Sequence, residues 1–287
     1  MKKKASLFLL LLLVILLGLA FSFNVYYFHF KTSAPVLPSH KERPFKSGER
    51  TRKKGEKSGS VETKRSRPRV AIIIDDLGYD PRLAAAFMRL DLPLTLSILP
   101  GTPFGSAIGR EATEKGLEVL LHQPMEPADY AEKDPGPAAL FVSMTEGDII
   151  RVLNENLNMV PGAKGVNNHM GSRFTKDPEK MRVFMTALKH RGLFFIDSKT
   201  TKDSVAIEEA KRLGVKCQSR DVFLDNVLDP VAMQQQLNRL LRIAEKTGCA
   251  IGIGHPYVIT LDMLRQNRES LKKGVHLVPV STLVRYD

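Results

Sequence analysis

Cysteine is scarce, with two in 287 residues, Cys217 and Cys249. Such a pair either closes one disulfide or supplies two small buried hydrophobes, so it fixes no compartment. No Cys-x-x-Cys pair occurs, which removes structural zinc sites of the finger kind. No His-Glu-x-x-His stretch occurs either, which removes the usual metalloprotease signature. A Gly-x-Ser-x-Gly elbow and a Walker loop are also absent, and Gly252-Ile-Gly254 alone is weak ground for phosphate binding.

Charge is missing altogether from residues 5–30, which carry a dense leucine run between Leu7 and Leu19 behind Lys2, Lys3 and Lys4. About 20 apolar residues span a bilayer, and this run exceeds the roughly 7–15 of a signal-peptide core. Residues 1–30 therefore read as a transmembrane anchor, the alternative being a signal cleaved near Gly18-Leu19-Ala20. Residues 31–69 hold thirteen Lys/Arg against four Asp/Glu, with Pro35, Pro38 and Pro44 and little apolar periodicity. That is the composition of a disordered basic linker. Together with the three N-terminal lysines it accounts for the whole formal charge of +12. The rest of the chain is neutral, so the sequence pI of about 9.7 belongs to a flexible arm and implies no specific nucleic-acid partner. The positive-inside rule, with three lysines before the run and five Lys/Arg between Lys31 and Arg50, does not by itself favour export. A signal-anchor followed by a tether predicts a single-pass protein of the inner (cytoplasmic) membrane, with its domain facing the periplasm or cell exterior.

From residue 70 to 287 short β-rich runs alternate with longer helical ones. Strands are predicted over 70–74, 94–99, 117–121, 165–167, 193–196, 222–224, 250–253 and 275–280. Helices are predicted over 81–90, 107–115, 145–159, 178–190, 203–213, 230–246 and 261–271. Seven or so strand–helix units suit an α/β fold of the distorted (β/α)7 barrel type, with an open doubly wound sheet as the alternative. The proline-rich segment 123–140 breaks the pattern, and loops of this kind often rim a binding site.

Nearly every unusual polar residue follows directly on an apolar strand: Asp75 and Asp76, His122, Asn167 to His169, Asp197 and Ser198, Asp225, and His255. In a parallel barrel these positions share one rim, where active sites are built. A carboxylate pair lets one member ligate a metal while the other takes a proton. Either Asp alone has a competing use as a helix N-cap, and a lone His at such a place is more often a hydrogen-bonded wall residue. Two carboxylates and three imidazoles on one rim favour a metal-dependent hydrolytic site. His190 and His276 read as structural. One carboxylate with two imidazoles leaves coordination positions open for water or substrate; the cofactor is a divalent metal, with zinc as the default and non-haem iron left open.

Six segments resemble the divergent polysaccharide deacetylases, a branch of the carbohydrate deacetylase superfamily. They are Ile72-Ile-Ile-Asp-Asp-Leu-Gly78, Leu94-Thr-Leu-Ser-Ile-Leu-Pro100, Glu118-Val-Leu-Leu-His-Gln-Pro-Met125, Gly165-Val-Asn-Asn-His-Met-Gly-Ser-Arg173, Phe194-Phe-Ile-Asp-Ser-Lys199 and Ile251-Gly-Ile-Gly-His-Pro256. The resemblance implies a distorted barrel that removes acetyl groups from the amino sugars of an acetylated polysaccharide of the cell envelope. It makes Asp75 the general base, Asp76 and His122 metal ligands and His255 the general acid, with Arg173 or Asp197 orienting the pair. The superfamily pattern places a second ligand histidine four residues after the first, where this chain has Glu126; His169 is the expected substitute. Asn168, Met170 and Tyr257 are expected at the substrate, with Phe174 a further apolar wall candidate and Phe195 read as core. The altered spacing also permits a non-catalytic envelope protein that binds glycan or metal, or another metal-dependent amide hydrolase.

Overall fold

The computed structural model describes residues 67–286. The expected anchor, and the linker as far as residue 66, lie outside the described residues. Among the described residues no helix is long and apolar enough to cross a membrane.

The chain opens with strand β1 (Arg69–Leu77), then alternates α1 (Pro81–Met88), β2 (Thr95–Ile98), α2 (Gly105–Glu114), β3 (Glu118–Met125), α3 (Glu146–Met159), β4 (Ala163–Met170), α4 (Pro178–His190), β5 (Phe194–Asp197) and α5 (Ala206–Leu213). Two short strands, β6 (Cys217–Ser219) and β7 (Val222–Phe223), precede α6 (Pro230–Thr247), β8 (Cys249–Gly254), α7 (Val258–Gly274) and β9 (His276–Leu277). Three helices begin the same way. Asp80, Asp177 and Asp229 each stand just before a proline at the first helical position and accept hydrogen bonds from two backbone N–H groups of the first turn. Proline costs nothing where the N–H would be orphaned, and the aspartate satisfies the next two donors. Thr145 and Asp148 form a reciprocal capping box on α3.

All strands in the ladder are parallel, in the order β6-β5-β4-β3-β2-β1-β8-β7, with β9 beside the start of β1. The sheet is curled into a half-barrel. β1 shows why: it is apolar on both faces, as a strand covered on both sides must be. Val70, Ile72 and Ile74 pack with the helices, whereas Ala71 and Ile73 face inward with Leu120, Ile196, Ile251 and Ile253. Among the described residues no α-helix contributes to the inner cluster, so the sheet is wound on itself and is not an open layer with helices on both faces.

Two features close the curl. At the seam neither β6 nor β7 pairs with the other; instead the backbone N–H of Arg220 donates to Asp197 O (3.0 Å) and that of Asp221 to Ile251 O (2.9 Å), so one segment stitches the two edges. At the N-terminal ends of the strands Val278, Val280 and Leu283 fill the interior as a floor. Glu118 Oε1 secures that floor by accepting from Thr95 Oγ1 and from Ser281 N, both at 3.0 Å. The strand predicted over 275–280 is thus two residues long, because after Val278, whose N–H still donates to Val70 O (2.9 Å), the chain leaves β1 to plug the barrel.

Candidate metal centre and its flanking acid and base

β3 and β4 run further than their apolar residues predict, through His122 and His169, and pair up to Met125 and Met170. On β3 the period of two that sends Leu120 inward also sends His122 inward, and on β4 it does the same for Asn167. Asp75 shares the parity of Ala71 and Ile73. Asp76 does not, and strand alternation alone would turn it away from Asp75. The register of β1 against β2 shifts between Ile74 and Leu77, and Asp76 has φ 54°. This bulge turns Asp76 toward the same histidine as Asp75.

Asp76 Oδ1 lies 3.1 Å from His122 Nε2 and 2.9 Å from His169 Nδ1. The two ring nitrogens are 3.3 Å apart. Ligand atoms bound at about 2.0–2.2 Å to one tetrahedral cation stand about 3.3–3.5 Å from each other. Asp76 Oδ1 is buried, and no hydrogen-bond donor is aligned on it. A carboxylate oxygen without an aligned donor, facing two imidazole nitrogens, fits a shared cation better than a pair of N–H···O bonds. Asp76, His122 and His169 are therefore a possible metal site. Burial disfavours the charged form of Asp76, but His122 and His169 outweigh it and hold the carboxyl far below its usual range. Burial likewise disfavours an imidazolium at His122, and the charges of Asp75 and Asp76 overcome it to raise the ring above its ordinary value.

Asn167 organises this centre, a role its place in the sequence did not announce. Its Nδ2 donates to Asp75 Oδ1 (2.8 Å), which fixes the amide's orientation. Its Oδ1 then accepts from Ser97 Oγ (2.6 Å) and faces His122 Nδ1 (2.9 Å). In its neutral form His122 accordingly carries its proton on Nδ1 and presents a lone pair at Nε2, as a metal ligand must. Glu126, at the position of the missing histidine, points elsewhere: its Oε1 accepts from Arg173 Nη1 (2.9 Å) and its Oε2 from Val142 N (2.7 Å). It ties down the proline-rich loop.

Across the site His255 stands on Asp225, the second residue without an assigned role in the sequence reading. Asp225 Oδ1 accepts from His255 Nδ1 (2.8 Å), while Oδ2 accepts from the His255 backbone N–H and from Thr260 Oγ1 (2.8 Å). Burial pulls the His255 pKa down, but Asp225, helped by Asp75 and Asp76, pushes it up to about 9. Both residues end apolar strands, and that shared position was the signal available.

The remaining expectations divide. Arg173 is bound to Glu126 and largely exposed, so it touches neither Asp75 nor His255. Asp197 is buried and accepts from Lys199 N (2.8 Å); burial raises its pKa, and the orienting contact to His255 comes from Asp225 instead. Asn168, expected at substrate, is buried with both ends of its amide used: Nδ2 donates to Met170 O (2.7 Å) and Oδ1 accepts from Ser198 N (2.9 Å). Met170 adopts φ 52° and gives its carbonyl to Asn168 and Thr200. Tyr257 is exposed, its ring 6.0 Å from that of His255. Phe174 is fully buried against Phe184, so it belongs with Phe195 in the core. A cleft of about 360 Å³ opens on Asp76 and His169, walled by Tyr79, Pro100, Pro124 and the 134–138 part of the proline-rich loop.

A curled parallel α/β sheet with an Asp-His-His cluster on its inner face is a deacetylase-like fold. The profile of the divergent polysaccharide deacetylase family matches residues 72–284, and the chain belongs to that family. It is 36% identical over 217 residues to an uncharacterized protein of Haemophilus influenzae (strain Rd), covering 76% of this chain and 77% of the relative. It is 34% identical over 216 residues to the uncharacterized protein YibQ of Escherichia coli (strain K12), covering 75% and 67%. Among solved structures, an uncharacterized protein from Agrobacterium tumefaciens C58 superposes with a TM-score of 0.72 at 28% identity, covering 80% of this chain and 92% of that one.

Proposed function

We propose that the chain is a metal-dependent hydrolase that removes N-acetyl groups from the amino sugars of a cell-envelope polysaccharide. One observation carries this reading: three converging ligand atoms are flanked by a carboxylate, Asp75, and by an imidazole, His255, whose charge Asp75 stabilises. Asp76, His122 and His169 would hold the cation, zinc by preference. When bound it supplies Lewis acidity toward the acetamide carbonyl and a water acidified toward a pKa of about 7.

The chain's own residues do the proton work. Asp75, steered by Asn167, takes the proton of the attacking water. His255 is protonated at neutral pH and donates to the departing amine, while Asp225 keeps the Nδ1 proton and the ring's orientation. The proline-walled cleft receives the sugar ring, and we assign Tyr257 and Met170 to the acetyl group. Residues 1–30, uncharged beyond Lys4, anchor the domain in the inner membrane with the site outside the cytoplasm. A C-terminal reporter that works solely in the cytoplasm would contradict that placement if it were active.

The test of turnover is acetate release from acetylated amino-sugar oligomers by the purified full-length chain, with zinc and after chelation. Zinc-dependent release supports the proposal. Full metal occupancy with no release from any such glycan would leave a binding or scaffolding role.

A further inference from the structure

Arg220 and Phe223 have no part in the chemistry above, yet they join its two halves. Arg220 lies at the seam that no strand pairing closes. Its Nε donates to Ser198 O (2.8 Å) and its Nη2 to Lys199 O (3.1 Å), so the guanidinium grips the loop that follows β5. Ser198 belongs to the base side of the site, its Oγ 3.4 Å from Asn167 Nδ2. Arg220 Cζ also lies 3.6 Å from the centroid of the Phe223 ring, on the far side of the seam. Phe223 in turn stacks on His255, with centroids 5.8 Å apart and planes at 29°. Arg220 is only partly exposed and makes no ion pair with a carboxylate among the described residues; its hydrogen bonds go to carbonyls. A planar cation that spends its donors on backbone and its face on an aromatic ring sets geometry, in addition to the charge it presents to Asp197, Asp75 and Asp221.

We propose that Arg220 is a positioning residue: through Phe223 it fixes the plane of the His255 ring, and through the Ser198 and Lys199 carbonyls it fixes the loop beside Asp75. Acid and base thereby keep their spacing across an open seam. The proposal rests on the deacetylase reading for its kinetic consequence, but its structural half can be tested without turnover. Asp225 sets the distance and tautomer of His255 from one edge of the ring; the Phe223 face limits the residual χ2 rotation that one hydrogen bond at Nδ1 permits. Lysine cannot replace arginine here, because an ammonium has neither the flat face nor two donors aimed at neighbouring carbonyls.

The experiment uses the full-length chain and its R220M, R220K, F223L and F223Y variants. NMR of the His255 ring protons reads the Phe223 ring current. The expected result is a large shift change in F223L, a change in the same direction in R220M and R220K, and near-native shifts in F223Y. Zinc stoichiometry stays native in all four. Kcat for acetate release falls by about 10–100-fold in R220M, R220K and F223L with KM within about threefold, as expected when a reacting group is displaced by about 1 Å; F223Y retains activity. Native His255 shifts and native kcat in R220M and R220K would overturn the proposal, as would a kcat loss that follows lost metal or lost stability. If R220M fails to fold, F223L against F223Y decides the same question. If the wild type releases no acetate, the deacetylase reading fails while the NMR comparison still judges Arg220.

Discussion

Asp225 holds His255 by its ring and its backbone at once: one carboxylate oxygen faces Nδ1 at 2.8 Å and the other accepts from the backbone N–H of the same residue. Side chain and main chain of the histidine are thus tied to a single group that is itself buried and bonded to Thr260. Replacing Asp225 by Asn should leave metal binding intact and lower kcat for acetate release by about 10²–10⁴-fold, the range lost when a general acid loses its protonation or aim. Steady-state kinetics alongside metal analysis checks this; a kcat within threefold of wild type would mean that His255 is not the acid.

The same pair makes stability depend on pH. The His255 pKa is raised to about 9 in the folded chain, above its value of about 6.5 when unfolded. Its contribution is therefore complete below about pH 6.5 and is lost as pH rises through about 9. Urea unfolding of the wild type should show stability declining across that window, and the decline should flatten in Asp225→Asn.

His169, not Glu126, joins Asp76 and His122 in the candidate metal site. His122→Ala and His169→Ala should each abolish stoichiometric zinc in the purified chain, whereas Glu126→Gln should retain it. Glu126→Gln should instead loosen the proline-rich loop, read as faster amide exchange around Val142, whose N–H the carboxylate holds at 2.7 Å.

Asn167→Ala removes the group that sets the His122 tautomer and steers Asp75. A loss of about 10–100-fold in zinc affinity is expected, as for other partners that orient a metal ligand. Competition titration against a chelator measures it, and an unchanged affinity would show that His122 is held without Asn167.

Gly165 lies on the inner face of β4 where the Phe194 ring fills the space: a Cβ there would meet Phe194 Cε2 at 2.5 Å. Gly165→Ala should cost about 1–3 kcal/mol, the usual range for overpacking a filled core. The shift in urea midpoint at constant m checks it.

Much of this was legible in the sequence. The helices predicted from residues 81, 178 and 230 are present, each behind an Asp N-cap, and the apolar run 70–74 lies in the covered central strand. Polar residues at strand ends gave the rim on which Asp75, His122 and His255 were sought. What escaped depends on contacts between distant segments. Asn167 draws its role from Ser97, His122 and Asp75, which are 70, 45 and 92 residues away. The Asp76 bulge is a backbone event that neither hydropathy nor spacing records. Asn168 looked as available as Asn167, because strand alternation decides which of the two reaches the interior, and β4 was read too short to apply it.

The placement of β9 joins the beginning of the domain to its end, since Arg69 and Val70 pair with His276 and Leu277. Translation supplies the first strand some two hundred residues before the segment that lies beside it and fills the interior. A nascent chain can wind its helices and pair its early strands, but it has nothing to put beneath Ile73 and Leu120 until Val278, Val280 and Leu283 emerge. Folding of this domain therefore finishes only after its synthesis does.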